Sequence, residues 1–385
     1  MIQLNDICDI YDCPHTTAKD EGKGYPLVRT PNVGKGRLIL NGIHRVSEEV
    51  YNSRNARAIP EEGDLILARE APVGNVSIIM HGQHVCLGQR VVLIKPRKTL
   101  VDPHYLTYYL LSAEVQHRLK NHANGAVVAH LNVSDIRNLL VTLPKLDEQV
   151  AIGKILRSID DKIELNRQIN DNLEQQAQAA FNNIIANTTS DKTVQLAEIA
   201  WLNPKRSISK GPIARSIEMA HLPTTGSFPS GWEMKEYNGG MKFQNGDTLM
   251  ARITPCLENG KVAFVNFLED DEIAFGSTEY ITMTPKRQFA PEVLYFLVRN
   301  AEFIDFAVKN MNGSSGRQRV SADTIGTYEL PDITLEELHM IETIAREALT
   351  KIKYNSLENM KLAEMRDTLL PKLMSGELKI NETDC

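Results

Sequence analysis

Cys8, Cys13 and His15 form one group of residues with metal-ligating chemistry, and His81, His84 and Cys86 form a second. Zinc sites usually carry paired cysteines about two residues apart, because a tight turn then aims both thiolates at one ion. Neither group has that spacing, which favours ordinary core and surface roles and predicts no metal. Asn259-Gly260-Lys261-Val262 lacks the leading glycine and the trailing Ser or Thr of a phosphate-cradling loop. His-Glu-x-x-His and Gly-x-Ser-x-Gly do not occur.

Asp102-Pro103-His104-Tyr105 has the outline of the Asp-Pro-Pro-Tyr loop of amino-methyltransferases, in which an amide or carboxylate and a carbonyl hold the target amine. Its third residue is His, and no Phe-x-Gly-x-Gly cofactor loop stands upstream. The string reads better as a helix start, with Asp102 as cap and Pro103 in the first turn. A DNA adenine-N6 methyltransferase acting through this loop is kept as a rival reading, and no catalytic residue is assigned.

The chain has 385 residues, 42% hydrophobic and 24% charged, which fits two or three globular domains. No apolar run reaches the roughly 18 residues of a membrane span, and the first residues predict no signal peptide. Five cysteines suit a reducing compartment, so the expected location is the cytoplasm. The net charge of −6 argues weakly against a nucleic-acid partner, yet residues 1–143 carry 16 Lys+Arg against 14 Asp+Glu.

A long internal repeat organises the chain. Gly63-Asp64-Leu65-Ile66-Leu67-Ala68-Arg69 returns as Gly246-Asp247-Thr248-Leu249-Met250-Ala251-Arg252, and Leu4-Asn5-Asp6-Ile7 as Leu196-Ala197-Glu198-Ile199. Asp102-Pro103 answers to Ala290-Pro291, Val133-Ser134 to Val320-Ser321, and Leu143-Pro144 to Leu330-Pro331. Within each copy, residues 65–67, 76–79 and 91–94, and then 248–250, 262–265 and 280–283, read as strands. Residues 103–119 and 291–309 read as helices.

Each copy ends in a heptad seam. Ile152, Leu156, Ile159, Ile163, Asn166, Asn170, Leu173, Ala177, Ala180 and Ile184 lie on the first. Ile341, Ala345, Ala348, Ile352, Asn355, Asn359, Leu362 and Leu369 lie on the second, with Pro371 and Gly376 as its stop. Asn166, Asn170, Asn355 and Asn359 stand at matching seam positions, where asparagine costs packing but sets register. An antiparallel pairing of two helices, each about 60 Å long, would put the globular copies at opposite ends of a spacer. The expected fold is α+β and pseudo-two-fold. Residues 1–143 form a first domain, 144–187 a spacer helix, 188–330 a second domain, 331–378 a second spacer helix and 379–385 a tail.

A duplicated reader on a stiff spacer suits DNA, whose half-sites recur about 34 Å apart. Arg29, Asn32, Lys35, Arg37, Arg69, Gln89 and Arg90 in the first copy are candidate DNA contacts. So are Arg252, Lys261, Arg317, Gln318 and Arg319 in the second. Arginine can take guanine bidentately, Asn or Gln can take adenine, and others would hold phosphate. Gly34, Gly36, Gly74, Gly313 and Gly316 would let the backbone approach closely. A coiled-coil scaffold that never touches DNA is the second rival.

Leu143-Pro144-Lys145-Leu146-Asp147-Glu148-Gln149, followed by Ile159-Asp160-Asp161-Lys162-Ile163-Glu164-Leu165-Asn166-Arg167-Gln168-Ile169-Asn170, resembles the central repeat of type I restriction–modification specificity subunits. Leu369-Leu370-Pro371-Lys372-Leu373-Met374-Ser375-Gly376-Glu377-Leu378 resembles that family's C-terminal end, and the two Gly-Asp strings resemble its target-recognition domains. The resemblance implies a non-catalytic subunit that reads a bipartite double-stranded DNA target, one part per domain. It also implies two methyltransferase subunits docked on the helices and two motor–nuclease subunits. S-adenosylmethionine, ATP and magnesium would then belong to those partners, with no cofactor in this chain and no membrane contact.

Overall fold

The computed structural model describes residues 1–122, 130–286, 289–314 and 316–380. Most of the expected tail, 381–385, therefore lies outside the described residues. The chain divides into two compact units, Met1–Lys162 with Leu362–Cys385, and Ile163–Lys361. No helix among the described residues is long and apolar enough to cross a membrane.

In the first unit the main sheet runs in the order Cys8–Asp12, Val91–Pro96, Leu65–Ala68, Val76–Ile78 and Gly36–Arg37. Its middle strands read as continuous apolar runs because both faces are covered. Leu65, Leu67, Val92 and Ile94 pack on one side against Tyr105, Leu106 and the long-helix residues Ile152, Leu156 and Leu373. Ile66, Ala68, Val91 and Leu93 pack on the other side with Val28 and Leu87. A small three-stranded sheet, Arg45–Val46, Tyr25–Val28 and Cys86–Leu87, closes that second face. It contains a parallel pair, Leu27 against Cys86.

The second unit repeats the plan. Ala200–Leu202, Tyr280–Pro285, Thr248–Ala251 and Val262–Phe264 form its main sheet; Glu233–Glu236, Ile213–Ile217, Ala274–Gly276 and Met241–Phe243 form the smaller one. Leu65 faces Ile94 and Thr248 faces Met283, so the repeat preserves strand register. Each Gly-Asp string is a turn feeding the central strand. Gly63 and Gly246 have φ of 88° and 90°, and each following Asp accepts a backbone N–H three residues back, at Glu61 and Gln244. Asp64 and Asp247 are buried on Lys95 and Arg206, and burial raises both carboxyl pKa values.

Three expectations shift. The helices read over 103–119 and 291–309 are each broken in two, as Pro103–Leu111 with Ala113–His122, and Pro291–Val298 with Ala301–Lys309. Ser112 and Asn300 take extended conformations at the breaks, and Asn300 Oδ1 caps the next helix by accepting from Glu302 N at 2.8 Å. The register of the repeat near 133 is also corrected. Asn132 and Ser321 precede the matching short helices Val133–Arg137 and Ala322–Gly326, so Leu131 answers to Val320. Likewise Val141 answers to Leu330, since each pairs with the first strand of its copy. Finally, Pro371 is not a stop, because the second long helix, Leu335–Ser375, runs through it. Buried Leu373 holds the last turn on the first unit's core, which offsets the lost backbone bond, and Gly376 (φ 74°) ends the helix.

The first long helix, Leu146–Asn187, contributes to both units. In the first unit Gly153 lies against the capped turn at 102–105, where a Cβ would come within 2.6 Å of Asp102 Oδ1 and 2.9 Å of Tyr105 N. Tyr108 Oη and Arg366 both bond Asp160, at 2.7 and 2.9 Å. In the second unit Ala177 and Phe181 pack with Leu338, Ile341, Ala345, Ala348, Leu349 and Ile352. Buried Glu174 accepts the Tyr295 hydroxyl there, and burial raises its carboxyl pKa.

Candidate nucleic-acid interface

The register asparagines meet inside the second unit. Asn355 Nδ2 donates to Asn170 Oδ1 at 2.8 Å, and Asn166 Nδ2 donates to Asn359 Oδ1 at 2.9 Å. Asn170 also donates to Ser356, and Asn359 to the Ile163 carbonyl. Partner numbers fall on one helix as they rise on the other, so this stretch is antiparallel. Asn166 and Asn355 are buried, which makes a slip costly: it would strand amide groups in an apolar seam.

The candidate DNA contacts separate into two kinds. Several are employed by the chain itself. Asn32 is buried in a turn, accepting from Arg29 N and donating to the Ile39 carbonyl. Arg37 pairs with Asp161 on the first long helix. Lys261 Nζ donates to the Met219 carbonyl at 2.7 Å. Arg69 is the clearest correction to an expected free reader, with its side chain 7% exposed. Its guanidinium bonds the Leu131 carbonyl, Asp12 and His130, at 2.8, 2.8 and 2.7 Å.

The others lie on exposed or half-exposed loops. Lys35 is exposed in the turn between Gly34 and Gly36. Arg29 packs along Gly88, where a Cβ would lie 2.7 Å from Arg29 Cγ. Gln89 donates to the His15 carbonyl. Arg90 has φ 63°, its side chain is 62% exposed, and its Nε lies 2.9 Å from Glu70 Oε2. Glu70 Oε1 lies 2.8 Å from His130 Nδ1. Because Arg69 can only donate, His130 Nε2 accepts and Nδ1 carries the proton toward Glu70.

The second unit gathers its candidates at the matching place. Arg252 Nε lies 3.2 Å from Glu279 Oε2. Arg319 grips both oxygens of Glu279, with contacts from 2.7 to 3.0 Å. Asn312 and Arg319 exchange two backbone bonds and close a loop that presents Gly313, Gly316 and exposed Arg317. Gln318 is tied to Thr254 through backbone and hydroxyl. Arg319 and Arg252 together hold the Glu279 carboxyl below its ordinary range.

Among the metal and methyltransferase candidates, three cysteines are buried and Asp102 serves a helix start. Cys8, Cys13 and Cys86 are buried, and burial pushes the Cys8 thiol up to about 12 and the Cys86 thiol to about 11. Asp102 Oδ1 caps its helix by accepting from Tyr105 N at 2.8 Å, while Asp102 N donates to Gln149 Oε1.

Residues 1–175 match the family described as type I restriction modification DNA specificity domain. The matched stretch is a little under half of the chain, and over most of its length the chain is similar to type I restriction enzyme specificity subunits. It is 21% identical to the HindI specificity subunit of Haemophilus influenzae, over 84% of this chain and 88% of that one. It is 24% identical to the MjaIX specificity subunit of Methanocaldococcus jannaschii, over 89% and 84%. Similarity to the putative MjaX specificity subunit of the same organism is 27% but spans 47% of this chain and 40% of that relative. The crystal structure of the type I restriction–modification system S subunit from M. genitalium shares the fold, with TM-score 0.62 and 14% identity over 97% of this chain and 95% of that one.

Sequence reasoning overlooked the acids. Asp12, Glu70 and Glu279 organise the arginines, and His130 joins Arg69 to Glu70. The string Arg69-Glu70 was the only available signal; Glu279 lies far from Arg252 and Arg319 in sequence.

Proposed function

We infer that this chain is the DNA sequence-specificity subunit of a type I restriction–modification complex, reading a bipartite target with one unit per half-site. The observation that carries the reading is the recurrence of arginines held on a carboxylate at matching places in both copies. Guanidinium groups fixed this way suit base edges and phosphates. The net charge of −6 is compatible with this if partners supply part of the phosphate-binding surface.

Two methyltransferase subunits dock on the long helices. In the second unit Leu165, Met340, Ile344 and Tyr354 are exposed on helices whose opposite faces are buried, as a partner surface requires. Adenine-N6 methylation with S-adenosylmethionine, and ATP- and magnesium-dependent translocation and cleavage, belong to the methyltransferase and motor–nuclease partners in the cytoplasm. Footprinting of the complex co-expressed with its methyltransferase tests the reading. Two short protected tracts with an unprotected gap are expected; no protection would leave a scaffold role, and a single tract would remove the one-unit-per-half-site assignment.

A further inference from the structure

Matching backbone bonds align the two arginine clusters residue by residue. Arg69 N donates to the Arg90 carbonyl, and Arg252 N donates to the Glu279 carbonyl, so Arg90 and Glu279 occupy equivalent places. Leu131 N donates to the Arg69 carbonyl and Val320 N to the Arg252 carbonyl, so His130 and Arg319 are equivalent. Glu70 then corresponds to Ile253. The carboxylate has changed position in the chain, from the residue after the first arginine in one copy to the facing loop in the other.

Its geometry has not changed in kind. Glu70 lies between Arg90 and His130; Glu279 lies between Arg252 and Arg319. In both copies the carboxylate takes Nε of a partly exposed arginine, Arg90 in one and Arg252 in the other. That orientation spends the inner nitrogen on the protein. The two terminal nitrogens are the pair that a bidentate acceptor, such as a guanine edge or a phosphate, takes. Arg69 in the first copy pairs with Asp12 and meets Glu70 only through His130, whereas the second copy has Pro204 at the place matching Asp12. Arg252 therefore depends on Glu279.

We propose that Glu70 and Glu279 are positioning residues for DNA recognition, each holding the arginine that meets its half-site. The proposal rests on the DNA-reading function above. A carboxylate beside a polyanion would ordinarily repel it, so neutralising it should tighten binding. Positioning makes the opposite demand: without the carboxylate the arginine must be ordered at the moment of binding, at a cost in side-chain entropy.

The test uses the full chain co-expressed with its methyltransferase, carrying Glu279→Gln or, separately, Glu70→Gln. DNA affinity is measured across salt concentrations, and methylome sequencing reports both half-sites. Each Gln variant is expected to bind about tenfold more weakly, a loss of roughly 1.4 kcal/mol, with the other half-site's consensus unchanged. Glu279→Asp should retain most of the affinity. Relaxation of one base in the affected half-site identifies a base contact; weakening that is uniform across sequences, with a shallower salt slope, identifies a phosphate. Unchanged or tighter binding by both Gln variants, in complexes that assemble and unfold like the parent, overturns the proposal. Absence of DNA protection by the parent complex would instead overturn the underlying function.

Discussion

Gly153 shows how a single residue can decide whether a helix docks. It lies inside the first long helix, where glycine is ordinarily unfavourable, and its missing side chain admits the capped turn at Asp102–Tyr105. Gly153→Val is expected to destabilise the first unit by about 1–3 kcal/mol through overpacking against backbone, measured by chemical denaturation. Glu279 gives a pH prediction. Its carboxyl titrates below the ordinary value of 4.5, held down first by the Arg319 hydrogen bonds. The unfolded chain thus binds this proton more readily, so the stabilisation is complete above about pH 4.5 and is lost as pH falls through the lower folded value. Glu279→Gln should flatten that part of the acid unfolding profile. An unchanged profile would show that the arginines are held by something else.

The long helices are held by polar as well as apolar seam residues. Asn166 is buried against Asn359, and Asn170 meets Asn355 one turn along. Removing one amide of such a pair leaves its partner short of a bond inside the seam, a cost of about 1–3 kcal/mol. Asn166→Ala is therefore expected to destabilise the second unit by that amount. Changing both Asn166 and Asn359 to Leu should cost less than the single change, because no buried polar group is then stranded. Denaturation curves of the parent, both single variants and the pair would reveal a cycle. Simple additivity would count against a coupled asparagine pair.

The whole molecule is a duplication read through two units. If the long helices set the distance between half-sites, inserting one turn of four residues into both should alter the gap. Four residues add about 6 Å, against about 3.4 Å per base step. Methylome sequencing is expected to find a longer gap with both half-site consensuses retained. An unaltered gap would separate target spacing from helix length.

The duplication was legible in the residues alone, because a strand buried on both faces and a heptad seam each demand a recognisable pattern. Leu65–Ala68, Thr248–Ala251 and the two asparagine-bearing helices all carry one. The minor sheets did not, because their strands are short and the parallel partners Leu27 and Cys86 are far apart in sequence. The helix breaks at Ser112 and Asn300 were equally hidden, since both residues are also tolerated within helices. At the candidate interface, residue type announced the arginines but not their employment. Burial of Arg69 and the attachment of Arg90 and Arg252 to acids on different loops depend on which chain segments meet in space. Charge acts through distance, and distance between residues remote in sequence is set only when the chain has folded.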